Sequence, residues 1–130
     1  MHHPLKNRYV EVKSPRGTEN KNAEVKLEKP KAKLFKDDEA SLVKADEALH
    51  VRNSKDVYFT KGVSLDHASG LKAYTDSAVL DTKGQTLNGN GNVKADHNNK
   101  TITADGFNLD NNSNILNFSK NVSVEVPLAQ

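Results

Sequence analysis

The chain repeats itself every 29 to 30 residues, and a repeat of that length leaves few folds open to it. Phe59-Thr60-Lys61-Gly62-Val63 returns as Gly89-Asn90-Gly91-Asn92-Val93, and again as Phe118-Ser119-Lys120-Asn121-Val122. The upstream segment recurs in phase, as Ala45-Asp46-Glu47-Ala48, Thr75-Asp76-Ser77-Ala78 and Ala104-Asp105-Gly106-Phe107. Val57, Leu87 and Leu116 hold equivalent places between the two signals. A fixed period of this size marks stacked supersecondary units, none of which can bury its apolar face alone.

Within each unit the pattern is that of a strand. Val63-Ser64-Leu65-Asp66 and Val122-Ser123-Val124-Glu125-Val126 alternate apolar and polar residues, as half-buried strands do. Ile102-Thr103-Ala104 starts a strand that Asp105-Gly106 interrupts, as at a bulge or corner, before Phe107-Asn108-Leu109 resumes it. Turn formers lie between: Ala68-Ser69-Gly70, Thr82-Lys83-Gly84, His97-Asn98-Asn99-Lys100 and Asp110-Asn111-Asn112-Ser113. Asn and Gly tolerate the positive φ that tight hairpins require. Glu39 to Val51 has an Ala-rich run of helical propensity, but it aligns with the later strand units and reads as strand. Lys31 to Lys36 reads as an early strand with Asp37-Asp38 as its turn. The last strand spans Val122 to Val126 and stops at Pro127, which cannot donate to a ladder. The expected fold is all-β: an elongated antiparallel β-jellyroll or roll of at least eight short strands, built from the repeats around one core.

Composition fits a thin core, with 35% hydrophobic residues and no Trp. A net charge of +2 supplies no strong field for nucleic acid, which is not expected as a partner. The charge is uneven, with seven Lys/Arg against four Glu over residues 1–29. Together with Pro4, Pro15 and Gly17, this suggests that residues 1–22 are a flexible basic lead-in, either an added leader or a juxtamembrane segment. The folded domain is then expected over residues 23–130. Absence of cysteine excludes disulfides and thiolate chemistry. No apolar run approaches the ~20 residues that span a bilayer as a helix.

Catalytic signals are weak. Asp66-His67 and Asp96-His97 occupy matching places in two units, but both pairs lead into turns, so these histidines are expected in solvent. The carboxylates recur with the repeat, as turn and corner residues would, and not as an acid/base pair. Gly89-Asn90-Gly91-Asn92 lacks the strand–helix context of a nucleotide fingerprint. The four Asn-x-Ser/Thr matches read as turn chemistry in an Asn-rich chain. No catalytic residue, metal site or cofactor is expected.

Leu27-Glu28-Lys29-Pro30-Lys31-Ala32-Lys33-Leu34-Phe35 resembles the opening of the periplasmic domain of the LptC family of lipopolysaccharide-export proteins. Thr101-Ile102-Thr103-Ala104-Asp105-Gly106-Phe107 through Asn117-Phe118-Ser119-Lys120-Asn121-Val122 is similar to that family's C-terminal repeat, a unit shared with OstA-like domains. The resemblance covers roughly residues 23–126. It implies a jellyroll, open along one side, that carries the acyl chains of lipopolysaccharide inside and leaves the sugar in water. It also implies a periplasmic place, with anchoring to the inner membrane by an N-terminal helix that this chain lacks. Lipid would come from an ATP-driven inner-membrane transporter at the N-terminal edge and pass to a periplasmic bridge protein at the C-terminal edge. A homodimer is a further possible assembly.

Repeat alignment and strand alternation turn Val63, Leu65, Ala78, Leu80, Leu87, Ala104, Phe107, Leu109, Leu116 and Phe118 inward. The resemblance makes these the lipid-binding set. The final strand, Val122, Ser123, Val124, Glu125 and Val126, is the expected partner edge, because unpaired backbone at a sheet edge is a template for strand addition. Three other readings stay open: the bridge protein itself, a structural or adhesive repeat domain without lipid, and a short β-solenoid enzyme acting on polysaccharide.

Overall fold

The computed structural model describes residues 8–36, 39–89, 91–113 and 115–126. Among these residues there are sixteen strands and no helix. The strands come in consecutive couples. They are β1 (Arg8–Lys13) with β2 (Arg16–Glu19), β3 (Glu24–Glu28) with β4 (Lys31–Lys36), and β5 (Glu39–Lys44) with β6 (Glu47–Val51). Next come β7 (Asp56–Lys61) with β8 (Val63–Asp66), and β9 (Lys72–Thr75) with β10 (Ala78–Asp81). The last are β11 (Thr86–Gly89) with β12 (Val93–His97), β13 (Lys100–Ala104) with β14 (Gly106–Asp110), and β15 (Ile115–Ser119) with β16 (Ser123–Glu125).

One member of each couple enters one sheet and the other enters the second. The first sheet runs β1-β4-β5-β8-β9-β12-β13-β16, and the second runs β2-β3-β6-β7-β10-β11-β14-β15. All pairings are antiparallel. The molecule is therefore a meander of eight long strands, each bent once near its middle. The bends form a corner along one side, and hairpin turns form two rims along the other.

Local chemistry explains both features. At the corner the chain needs unusual backbone angles: Gly62 has φ 56°, Lys29 47°, Lys120 65° and Asn121 54°. Backbone pairing continues through several bends, with Lys29 N–H on Asp46 O at 2.9 Å, Asp46 N–H on Lys61 O at 2.9 Å, and Asp105 N–H on Lys120 O at 2.8 Å. At the rim, Asn98 (φ 50°) and Asn99 (φ 67°) make the two-residue turn that closes β12 on β13, where His97 faces Lys100. The β10–β11 turn is held by Asp81, whose Oδ1 accepts from Lys83 N–H at 3.0 Å and Gly84 N–H at 2.8 Å.

One apolar cluster fills the space between the sheets. Phe59, Leu80, Leu87, Leu109, Val43 and Ala95 are fully buried within it. Each large side chain so buried contributes about 1.5–3 kcal/mol. The fold matches the expected antiparallel jellyroll, with Glu39 to Val51 forming strands β5 and β6.

Three expectations need correction. Part of the stretch read as a lead-in is strand: Arg8–Lys13 and Arg16–Glu19 form β1 and β2. Val10 and Val12 alternate with charged residues and close the core opposite Leu34 and Ala32, so the basic composition masked a half-buried strand. His67 is buried, at 8% exposure, because the β8–β9 turn folds over it. Its Nδ1 accepts from Ser69 N–H at 3.3 Å and lies 2.8 Å from Ser69 Oγ. The last strand is shorter than Val122 to Val126, since only Ser123–Glu125 pair with β13. The expected turn at Asp37-Asp38 and the stop at Pro127 lie outside the described residues.

The Asp81 turn carries a pH prediction. The Gly84 N–H, and then the Lys55 ammonium at 2.9 Å, hold the Asp81 carboxyl below its ordinary value. Its contribution is present at neutral pH and is lost as pH falls below the ordinary carboxylate range towards the lower folded value. Amide exchange at Lys83 and Gly84 should accelerate on acidification, beyond the intrinsic rate change, before the sheets unfold. In Asp81→Asn the acceleration should be absent.

Candidate functional site

The interior between the sheets is the candidate site, and strand register shows how it is built. On the first sheet one inward row crosses all eight strands: Val12, Ala32, Val43, Leu65, Ala73, Ala95, Ile102 and Val124. On the second sheet a row of Val25, His50, Val57, Leu80, Leu87, Leu109 and Leu116 crosses seven strands, with a single polar member. His50 Nε2 lies 2.9 Å from Ser54 O and is tied to the turn beside it. A second row there holds Leu27, Ala48, Phe59 and Ala78, and nearer the C-terminus Gly89, Phe107 and Phe118.

Burial along these rows is graded. Val43, Leu80 and Leu87 in the middle are inaccessible. Val10, Val12 and Leu27 at one end are partly buried, as are Ile102, Leu116 and Phe118 at the other. Val124, the last residue of its row, is 54% exposed. The trough is thus mainly apolar, with His50 and Ser41 as polar members, filled at its centre by its own side chains and, among the described residues, open at both ends. Among the described residues an end strand has no further strand beside it to cover its inward face.

Of the residues assigned inward from sequence, Val63, Leu65, Ala78, Leu80, Leu87, Ala104, Phe107 and Leu109 are buried. Leu116 and Phe118 pack partly against the same cluster. Phe107 lies over Gly89 on the neighbouring strand; a Cβ at Gly89 would fall 2.2 Å from its ring. The proposed edge residues are gathered at one end of the first sheet. Val122, Val124 and Val126 are all about half exposed or more, at 48%, 54% and 59%. The two end strands at the opposite end carry the exposed charges Lys13, Arg16 and Glu19.

Sequence reasoning missed Asn111. It is 1% exposed in the β14–β15 turn. Its Nδ2 donates to Phe35 O of the first sheet at 2.8 Å and to Gln85 Oε1 of the second at 2.9 Å. It ties the two rims together across the mouth of the trough. The signal was an Asn in an Asn-rich turn, and nothing local distinguishes it from its neighbours.

Comparison with known proteins bears on the fold and the family. The chain matches the family described as lipopolysaccharide-assembly, LptC-related, over residues 10–126. No curated protein gives a significant sequence match. Among solved structures the chain is similar to LptH, the LptA-homologous periplasmic component of the lipopolysaccharide transport device of Pseudomonas aeruginosa. The TM-score is 0.65 at 9% identity, covering 92% of this chain and 95% of that one. At that identity the likeness concerns the fold.

Two substitutions test how the trough is held. Phe107→Ala should cost roughly 3 kcal/mol through the cavity it leaves over Gly89. Asn111→Ala removes a buried amide that serves both rims and should cost about 1–3 kcal/mol. Denaturant titration checks both. Values within ~0.5 kcal/mol of the parent would mean that neither contact holds the trough closed.

Proposed function

The chain belongs to the LptC-related lipopolysaccharide-assembly family, and on that premise we propose that it is a periplasmic transport component that carries the acyl chains of lipopolysaccharide in its trough. One observation carries the reading: an unbroken apolar row crosses every strand of the first sheet and reaches solvent at the C-terminal end. A core made only for stability would be closed at its ends by polar or covering residues. A row that runs out at a sheet edge suits a ligand that slides along the sheet.

The family resemblance implies the order of the steps, and chemistry constrains each. The acyl chains displace protein–protein apolar contacts with contacts of the same kind, so the exchange is near balance. The sugar portion keeps its water. Lipid is received at the N-terminal end from an inner-membrane ATP-driven transporter and leaves at β16. There a partner strand of the bridge protein adds to the free edge and prolongs the apolar row. Glu125 is the only charge on β16, so the edge is poorly guarded against strand addition. Carriage of this kind makes and breaks no covalent bond, and the role is transport rather than catalysis.

A photo-crosslinking residue at Leu80 should capture lipopolysaccharide, and one at the outward-facing Tyr58 should not. Capture at Tyr58 alone would place the lipid outside. A chain ending at Asn121, or one with Ser123→Pro, should lose the bridge protein in a pull-down and keep the transporter contact. Undiminished capture of the bridge by both would remove β16 from the handover.

A further inference from the structure

On the outer face of the first sheet, charges of opposite sign mostly stand opposite one another. Lys33 faces Glu11, and Lys72 stands between Asp66 and Asp96. One row departs from this. Lys13, Lys31 and Lys44 stand side by side on β1, β4 and β5 in direct register. All three are exposed. Like charges directly opposite each other destabilise a sheet. Lys13 Nζ has Glu11 at 3.6 Å. Among the described residues Lys31 and Lys44 have no ion pair.

Lys29 joins them at the corner, held in the left-handed region by its bond to Asp46 O. Two grooves follow one another here. The first is lined by Lys13, Ser14, Pro15, Lys29 and Lys31. The second shares Lys29 and Lys31 and adds Lys44, with Asp46 as the one carboxylate lining either groove. Four lysines thus line two adjoining grooves, a strip on the outer face beside the corner, at the N-terminal end of the first sheet. On β1 itself, Val12 faces the trough and Lys13 faces the strip.

We propose that this lysine strip is a docking site for the phosphate groups of the glycolipid headgroup, holding them outside while the acyl chains enter beside Val10 and Val12. The inference rests on the lipid-carrying function proposed above and specifies its receiving end. Strands lie about 4.8 Å apart, so the row spans about 10 Å, and a phosphate fits between adjacent ammonium groups. A discrete headgroup suits a single row better than a bilayer surface does. The next row on the same face mixes Glu11 and Asp66 with Lys33 and Lys72, so a flat anionic surface would meet carboxylates as well as lysines. A phosphate bound in the strip would relieve the lysine repulsion that the free protein carries.

The test compares the full chain with K13Q/K29Q/K31Q/K44Q and with the arginine counterpart, K13R/K29R/K31R/K44R. The ligands are lipopolysaccharide, the same lipid after enzymatic dephosphorylation, inorganic phosphate and phosphatidylglycerol vesicles. The glutamine variant should bind intact lipopolysaccharide about tenfold or more weakly, and the arginine variant near the parent level. Both should bind the dephosphorylated lipid as the parent does. The free glutamine variant should melt no lower than the parent, because a repulsive row has been neutralised. Equal affinity of parent and glutamine variant for intact lipopolysaccharide would overturn the site and leave the trough reading standing. Lysine-dependent binding of inorganic phosphate as tight as that of the lipid, or lysine-dependent binding to the vesicles, would overturn its assignment to the headgroup. If the parent binds neither form of the lipid, the trough reading fails and this inference fails with it.

Discussion

Each long strand of this protein has one apolar side, and among the described residues there is no helix to cover it. The surface that does so is the other half of the same strand and its neighbours. Bending every strand at its middle lets the two halves face each other, and everything else depends on that bend. It sets the two-sheet architecture, lines up the inward rows, and places all corners on one side and all rims on the other. The residues at the bends are those that accept left-handed backbone or continue the ladder around it, such as Gly62, Asn121 and Lys29. Burial between the halves repays the ordering of a chain with only modest apolar content.

The same burial serves two ends in the proposed function. The side chains that stabilise the empty protein occupy the space that the acyl chains would take. The rims must therefore part when lipid enters, and the contacts across the mouth must be firm enough to close it and weak enough to release. Asn111, bonded to both rims, has that character. The ends differ in kind. The N-terminal strands present exposed charges, and the C-terminal strand presents exposed valines. The polarity of the molecule lies in these edges and not in its uniform middle.

Much of this was legible in the repeat. Alternation at Val63-Ser64-Leu65 and the phase of Val57, Leu87 and Leu116 located the inward rows, because a strand's period of two leaves one choice of face once the core side is known. Asn98-Asn99 announced its hairpin by residue type. What escaped depended on distant strands. The basic lead-in concealed β1, since Val10 and Val12 are a weak apolar signal until Leu34 and Ala32 lie opposite. His67 looked like a turn residue because its cover comes from the fold of the turn. The lysine row is invisible in one dimension: Lys13, Lys31 and Lys44 become neighbours only through the registers of three strands. Turn signals within the described residues were read correctly, but corners and hairpins recur at similar spacing, and only Asp105-Gly106 stood out as a corner.

The central claim is that the space holding the fold together is also the space that holds the lipid. It is tested most directly by the distance across the mouth. The chain has no native cysteine, so a pair of spin labels at introduced cysteines, Glu39→Cys and Asn112→Cys, reports on the two rims alone. Pulsed electron resonance should give one short distance in the lipid-free protein and a longer one when lipopolysaccharide is bound, reversing when the lipid is extracted. A protein that binds lipopolysaccharide at one-to-one stoichiometry with an unchanged distance distribution would contradict the account.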